Sequence, residues 1–415
     1  MKRFFHMLIA AVALLSATGC SDWFTPQEPE MHMVLLYVAA TEQSVSNYAE
    51  GNITDLVSGY VPNKSSKTES LLIFLQKRDA ASATTRSEAI LYRYYSNKSG
   101  QVFRDVVANY GIDFNACDPA SFEQVLDAAE AECNPTKRTL IFSSHGTGWM
   151  PRGYFDGKGD FTRAGTRMYA RAGEEETTAI SKLPAAVESI GYDSKTKAEL
   201  DIRDFASVAG KYHWNAMLLD CCYMGAVEAA YQLRNCCDWI LASPTEILIN
   251  GFPYSAILEK VLKEPNATGY EYICQKYYEM YQNMSGQSQS GTIALIDCSQ
   301  LDALAGICAN IISTRRTEMQ AVYRLGVQHY FYRSSKDYFF DLTHWIEQFA
   351  TEEQFALFQA QMDKAVPFKA ATAEFIGLKI DHFSGLSCYI PSSSYPNLNA
   401  YYKQLAWNQA TKVVE

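Results

Sequence analysis

The chain has 415 residues, 48% hydrophobic and 20% charged, with a formal charge of -10 and a pI near 5.3. That length accommodates one large core or two moderate ones, and the composition is that of a globular protein. An acidic balance without a basic stripe excludes the usual nucleic-acid binder, and 23 glycines and 13 prolines exclude a collagen-like or low-complexity chain.

In chain order, the first 20 residues read as a lipoprotein signal peptide. Lys2 and Arg3 precede the apolar run MLIAAVALL (7–15), which is too short to span a bilayer. SATGC then ends at Cys20 and resembles a bacterial lipobox, so Cys20 is the expected lipidation site. Residues 21–30 read as a polar tether, and the expected location is a bacterial envelope or cell surface, held to the membrane by the lipid. With Cys20 acylated, the remaining cysteines of the total of 11 are too sparse for a disulfide scaffold.

Strands are expected at MVLLYVAA (33–40), SLLIFLQK (70–77) and AILYRYYSN (89–97), the last on a sheet edge. A helix follows at 118–132, with Pro119 early and apolar residues at Phe122, Val125, Leu126 and Ala129. RTLIFSSHGTGW (138–149) is a strand running into a glycine-punctuated loop. The segment 151–183 is rich in Gly, Arg, Lys and Glu and long for a connection, which marks a functional or a disordered loop. IRDFASVA (202–209) is helical, AMLLD (216–220) a strand, MGAVEAAYQL (224–233) a helix directly after it, and WILASP (239–244) another strand. Further on come a helix at 270–284, a strand and helix over 291–312, and a late strand at 385–391. Strands spaced by helices predict an α/β fold, with a mainly parallel central sheet and helices on both faces.

Two of these strands end in reactive side chains, one at Ser144-His145-Gly146 and one at Asp220-Cys221-Cys222. Ligands of open α/β sheets bind at the carboxyl ends of strands. His145 and Cys222 therefore face each other if their strands are neighbours. A cysteine at a helix start gains from the unpaired N–H groups there, and an adjacent imidazole completes a nucleophile–base pair. Gly146 and Gly148 allow backbone N–H groups to approach a substrate carbonyl. Asp220 reads as a candidate cap for the following helix. The alternation of strand side chains turns Cys221 away from Cys222, into the core, with a vicinal disulfide as the alternative. Cys236 and Cys237 read as packing, and the C-C-x13-C-C spacing does not match a zinc site.

LIFSSHGTGW resembles the His-Gly-x-Gly-Trp motif of the clostripain family of cysteine peptidases, and LLDCCYMGAVEAAYQL is similar to that family's Asp-Ala-Cys-Leu-Met followed by a helix with Val-Glu. NACDPASFEQVL, ILASPTEILINGFPY and GLSCYIP resemble further segments in the same order. The resemblance implies a caspase-like catalytic domain over 31–263, with 151–201 as an activation and specificity loop and 264–415 as a helical and strand C-terminal subdomain. It implies Cys222 as nucleophile, His145 as base, and Asp220, Gly146 and Glu246 as substrate-binding residues, with Arg or Lys at the position before the cut. It implies self-processing in the loop, where Arg163, Arg167, Arg171 and Lys182 are the candidate sites. Protein or peptide substrates are expected, with calcium as an optional cofactor. Tyr223 stands where the family has Leu, Phe252 where it has Trp, and Cys221 where it has Ala. The competing expectation is a non-catalytic binding or scaffold lipoprotein on a decayed peptidase fold.

Overall fold

A computed structural model describes residues 30–41, 43–78, 86–152, 190–193, 199–331 and 338–415. Cys20 and the loop candidates Arg163, Arg167, Arg171 and Lys182 lie outside the described residues. No helix among the described residues is long and apolar enough to cross a membrane.

Residues 31–415 form one compact unit around a nine-stranded sheet. Its strands are β1 (His32–Ala40), β2 (Glu69–Lys77), β3 (Ala89–Ser96), β4 (Val102–Gly111), β5 (Lys137–Ser143), β8 (Trp214–Asp220), β9 (Cys237–Ala242), β10 (Thr292–Asp297) and β12 (Phe368–Ala371). The short β6 (Ile190–Tyr192) pairs with β7 (Glu199–Leu200), and β11 (Phe340–Asp341) pairs with the two-residue strand Ser387–Cys388. The order across the main sheet is β12-β10-β9-β8-β5-β1-β2-β3-β4. The five central strands run parallel, and the two at each margin are antiparallel.

The central strands carry apolar runs such as VLLYV on β1 and LLIFL on β2 because both faces are covered. Along β1, Met33, Leu35, Tyr37 and Ala39 enter one core, while Val34, Leu36, Val38 and Ala40 enter the other. The first core is dense in rings, with Tyr37 stacked between Phe74 and Phe142 at 4.4 and 5.2 Å and Phe122 stacked on Phe205 at 5.1 Å. Phe122 comes from the helix Pro119–Cys133, which starts as expected: Asp118 accepts from the N–H of Ser121, and Pro119 takes the first turn.

Four expectations are corrected. β3 is not the edge, because β4 pairs outside it. The late strand shrinks to Ser387–Cys388. The helix after Cys222 begins only at Val227, because Gly225 is held in a turn by its N–H bond to Ser243 O and a backbone contact with Pro244. Residues beyond 263, expected as a C-terminal subdomain, supply β10 and β12 to the same sheet.

Candidate active site

Strands β5 and β8 are parallel neighbours, with Ser143 in register with Asp220. Two residues beyond each lie His145 and Cys222, so the strand ends bring the two segments side by side. The contact is close: a methyl group on Gly146 would sit 2.7 Å from both Cys221 Cβ and Cys222 O. Gly148, at φ +62°, would likewise put a methyl 2.5 Å from Tyr223 O. The two glycines of the His-Gly-x-Gly motif thus let the His loop lie against the Cys loop.

Each loop is pinned by its backbone. The Ser144 hydroxyl donates to Ala39 O at 2.6 Å, and Gly191 N–H donates to His145 O at 3.0 Å. On the other side, Tyr223 adopts φ +60°, a left-handed conformation that costs a non-glycine residue about 1–2 kcal/mol. Its N–H donates to Thr245 O at 2.8 Å, its hydroxyl donates to Glu246 at 3.1 Å, and its ring stacks on Phe339 at 4.4 Å. These contacts offset the strain and fix the chain reversal directly after Cys222.

Cys221 and Cys222 take different partners. Cys221 Sγ donates to Phe142 O at 3.4 Å, within the core. Cys222 Sγ accepts from Ile247 N–H at 3.3 Å and also donates to Ile247 O at 3.8 Å. No disulfide joins them. An N–H aimed at sulfur is the contact a thiolate uses, and it replaces the expected helix terminus, since that helix starts too late to reach the cysteine. His145, Cys222, Asp220 and Glu246 are all buried. Two open cavities elsewhere, one of about 300 Å³ at Arg316, Trp345 and Val413 and one of about 420 Å³ at Ile53, Tyr94 and Phe103, include none of them.

The helix after Cys222 has Ala226 at its N-cap with no side-chain cap bond, so Asp220 does not cap it. Its Oδ2 accepts from the Ser143 hydroxyl at 2.8 Å and the Tyr254 hydroxyl at 2.5 Å. Burial first, then the Asp220 carboxylate, pushes the Tyr254 hydroxyl well above the usual phenol range, and Tyr277 is affected in the same way. The third ring, Tyr281, donates to Gly251 O at 2.8 Å. These tyrosines come from the helices Tyr254–Lys263 and Ala267–Gln282, and sequence reasoning missed their role; the GFPY segment carries Tyr254 and was the available signal.

Glu228 serves the site from behind. Its Oε1 accepts from Tyr389 N–H at 2.8 Å and the Tyr402 hydroxyl at 2.6 Å, and both of those rings pack on Trp149 of the His motif. Burial raises its pKa to about 7, against those two hydrogen bonds, which pull it down. An acid raised in the folded state binds protons more tightly than in the unfolded chain, so stability falls as pH rises from about 4.5 to about 7. The span corresponds to about 3 kcal/mol. His32, lowered to about 4 by burial, acts in the opposite sense by losing stability as pH falls. The test is therefore a difference between variants: relative to Glu228→Gln, the wild-type melting temperature should decline from pH 5 to pH 7.5, and parallel curves would refute it.

Elsewhere, His213 is exposed beside Asp238 at 3.0 Å, Cys236 bonds Ala206 O, and Cys237 lies against Cys298. Among the described residues, one group has metal-ligand proximity: His344, Glu347 and His382. It does not fit calcium, which takes oxygen donors. It also fits a transition metal poorly, because His344 Nδ1 accepts from Gln328 N–H, and that tautomer carries its proton on Nε2.

The sequence profile of the clostripain family, peptidase family C11, matches residues 36–168 and 178–411. Comparison with curated protein sequences returned no match. Among solved structures, an inactive zymogen C11 protease from Parabacteroides distasonis is similar at 26% identity and a TM-score of 0.73, covering 94% of this chain and 99% of that one. A secreted C11 cysteine protease from Bacteroides thetaiotaomicron shares the fold at 24% identity and a TM-score of 0.72, covering 92% and 99%. The profile spans both strand-end motifs and most of the chain between and beyond them, and the chain belongs to the clostripain family of cysteine peptidases.

Proposed function

We propose that this chain is an exported, lipid-anchored cysteine endopeptidase with Cys222 as nucleophile and His145 as general base. The observation that carries this reading is the parallel pairing of β5 with β8, which sets the His145 and Cys222 loops in contact. The Cys222 thiolate attacks the scissile carbonyl, and the imidazolium of His145 gives its proton to the leaving amine. Water, deprotonated by His145, then hydrolyses the thioester. Backbone N–H groups around Gly146 stabilise the oxyanion. Asp220, with Glu246 behind Tyr223, favours Arg or Lys before the cut. Burial of Cys222 suits a precursor that cuts itself after Arg163, Arg167, Arg171 or Lys182. Cys20 carries the lipid.

Alkylation tests the site directly. Iodoacetamide at one equivalent should end peptidase activity in the processed protein, and peptide mapping should place the adduct on Cys222. An adduct on Cys221 with Cys222 unmodified and activity lost overturns the assignment. Activity in excess EDTA separates this chemistry from any calcium dependence.

A further inference from the structure

Cys237 opens β9, and Cys298 directly follows the last residue of β10. The two strands are antiparallel, with Asp297 in register with Trp239, so Cys298 falls opposite Asp238 and diagonal to Cys237. The sulfurs approach to 3.7 Å, and both residues are buried in the same core. A disulfide bond is about 2.05 Å long, so closure needs less than 2 Å of movement, within the reach of small side-chain rotations. Cys236, by contrast, turns to the carbonyl of Ala206 at 3.3 Å.

We propose that Cys237 and Cys298 form a disulfide when the chain folds in the presence of a disulfide oxidant. The reaction is two successive exchanges. The Cys298 thiolate attacks one sulfur of the oxidant and releases its other half as a thiol, leaving a mixed disulfide. Cys237 then attacks Cys298 Sγ and expels the second half. Two protein S–H bonds give one S–S bond, their protons leave with the two released thiols, and the oxidant is reduced. In the folded chain, burial pushes the Cys237 thiol well above its ordinary range, which starves the second exchange of thiolate. The bond therefore closes during folding, before the pair is enclosed.

The bridge would tie the start of β9 to β10. The end of β9 leads directly into the segment carrying Ile247, whose N–H meets Cys222 Sγ. The crosslink spans 61 positions in sequence. A loop of that size in a chain this long corresponds to a melting shift of about 5 °C. The pairing is independent of whether Cys222 is the nucleophile.

The test uses the full chain in two arms: one secreted into an oxidising envelope, one refolded from the reduced state in a glutathione redox buffer. Each is alkylated with N-ethylmaleimide in denaturant and mapped before and after reduction. In the refolded arm, two thiols should escape alkylation, one peptide should join residues 237 and 298, and the melting temperature should drop by about 5 °C on reduction. Cys298→Ser and Cys237→Ser should each match the reduced wild type in stability. Complete alkylation after refolding, or a peptide joining Cys298 to Cys236, overturns the proposal.

Discussion

Cys222→Ala is expected to lower kcat/KM for peptide hydrolysis by at least about 10⁴-fold, while Cys221→Ala keeps it within about threefold. The first figure is about 5.5 kcal/mol of transition-state stabilisation, the scale on which removal of a covalent nucleophile operates. The two cysteines are adjacent and both buried, so composition and burial do not separate them. Their partners do. Both thiols reach a backbone carbonyl, Phe142 O for Cys221 and Ile247 O for Cys222, but Cys222 Sγ also receives the N–H of Ile247, at the strand ends where the His loop arrives. Truncating Cys221 removes one small core atom next to Gly146, a loss of about 1 kcal/mol in stability. Comparing the two variants on one fluorogenic peptide, with thermal melts of both, decides the question. Loss of activity in Cys221→Ala with an unchanged melt would reverse the roles.

Both strand-end motifs were legible because each closes a parallel strand whose last five residues are buried, where the run of apolar residues ends abruptly in polar ones: FSSH at the end of β5 and LLDCC at the end of β8. β4 was not legible because its residues obey neither period. Arg104 and Asp105 interrupt VFRDVVANYG, and no residue of the strand is buried, which moved the expected edge to β3. The helix after Cys222 was placed too early because Met224 and Ala226 read as helix formers; the tertiary bond from Gly225 N–H to Ser243 O wins over that propensity. The surroundings of Asp220 were hidden for a different reason. Tyr254 and Tyr277 come from helices beyond the strand, and only folding brings their hydroxyl-bearing rings to the carboxylate.

Asp220→Asn is expected to cut kcat/KM for substrates with Arg or Lys before the cut by about 10²-fold or more, with a much smaller change for a substrate with Leu there. Asparagine keeps the shape and one acceptor oxygen but removes the charge. Loss of one partner from a buried, hydrogen-bonded charge pair costs about 2–5 kcal/mol, and a neutral side chain has no such pair to lose. Asp220 stands two residues before Cys222, on the strand that carries the nucleophile, and its Oδ2 is already met by the hydroxyls of Ser143 and Tyr254. A guanidinium or ammonium group arriving there would meet a carboxylate that already accepts from two neutral hydroxyls. Glu246 is the rival acid, but its Oε1 receives the hydroxyl of Tyr223, the residue that reverses the chain after Cys222. Glu246→Gln should therefore lower activity toward basic and neutral substrates alike. The measurement is the ratio of kcat/KM for the Arg and Leu peptides: Asp220→Asn should collapse it and Glu246→Gln should leave it standing. The opposite pattern would move the specificity acid from β8 to the segment after β9.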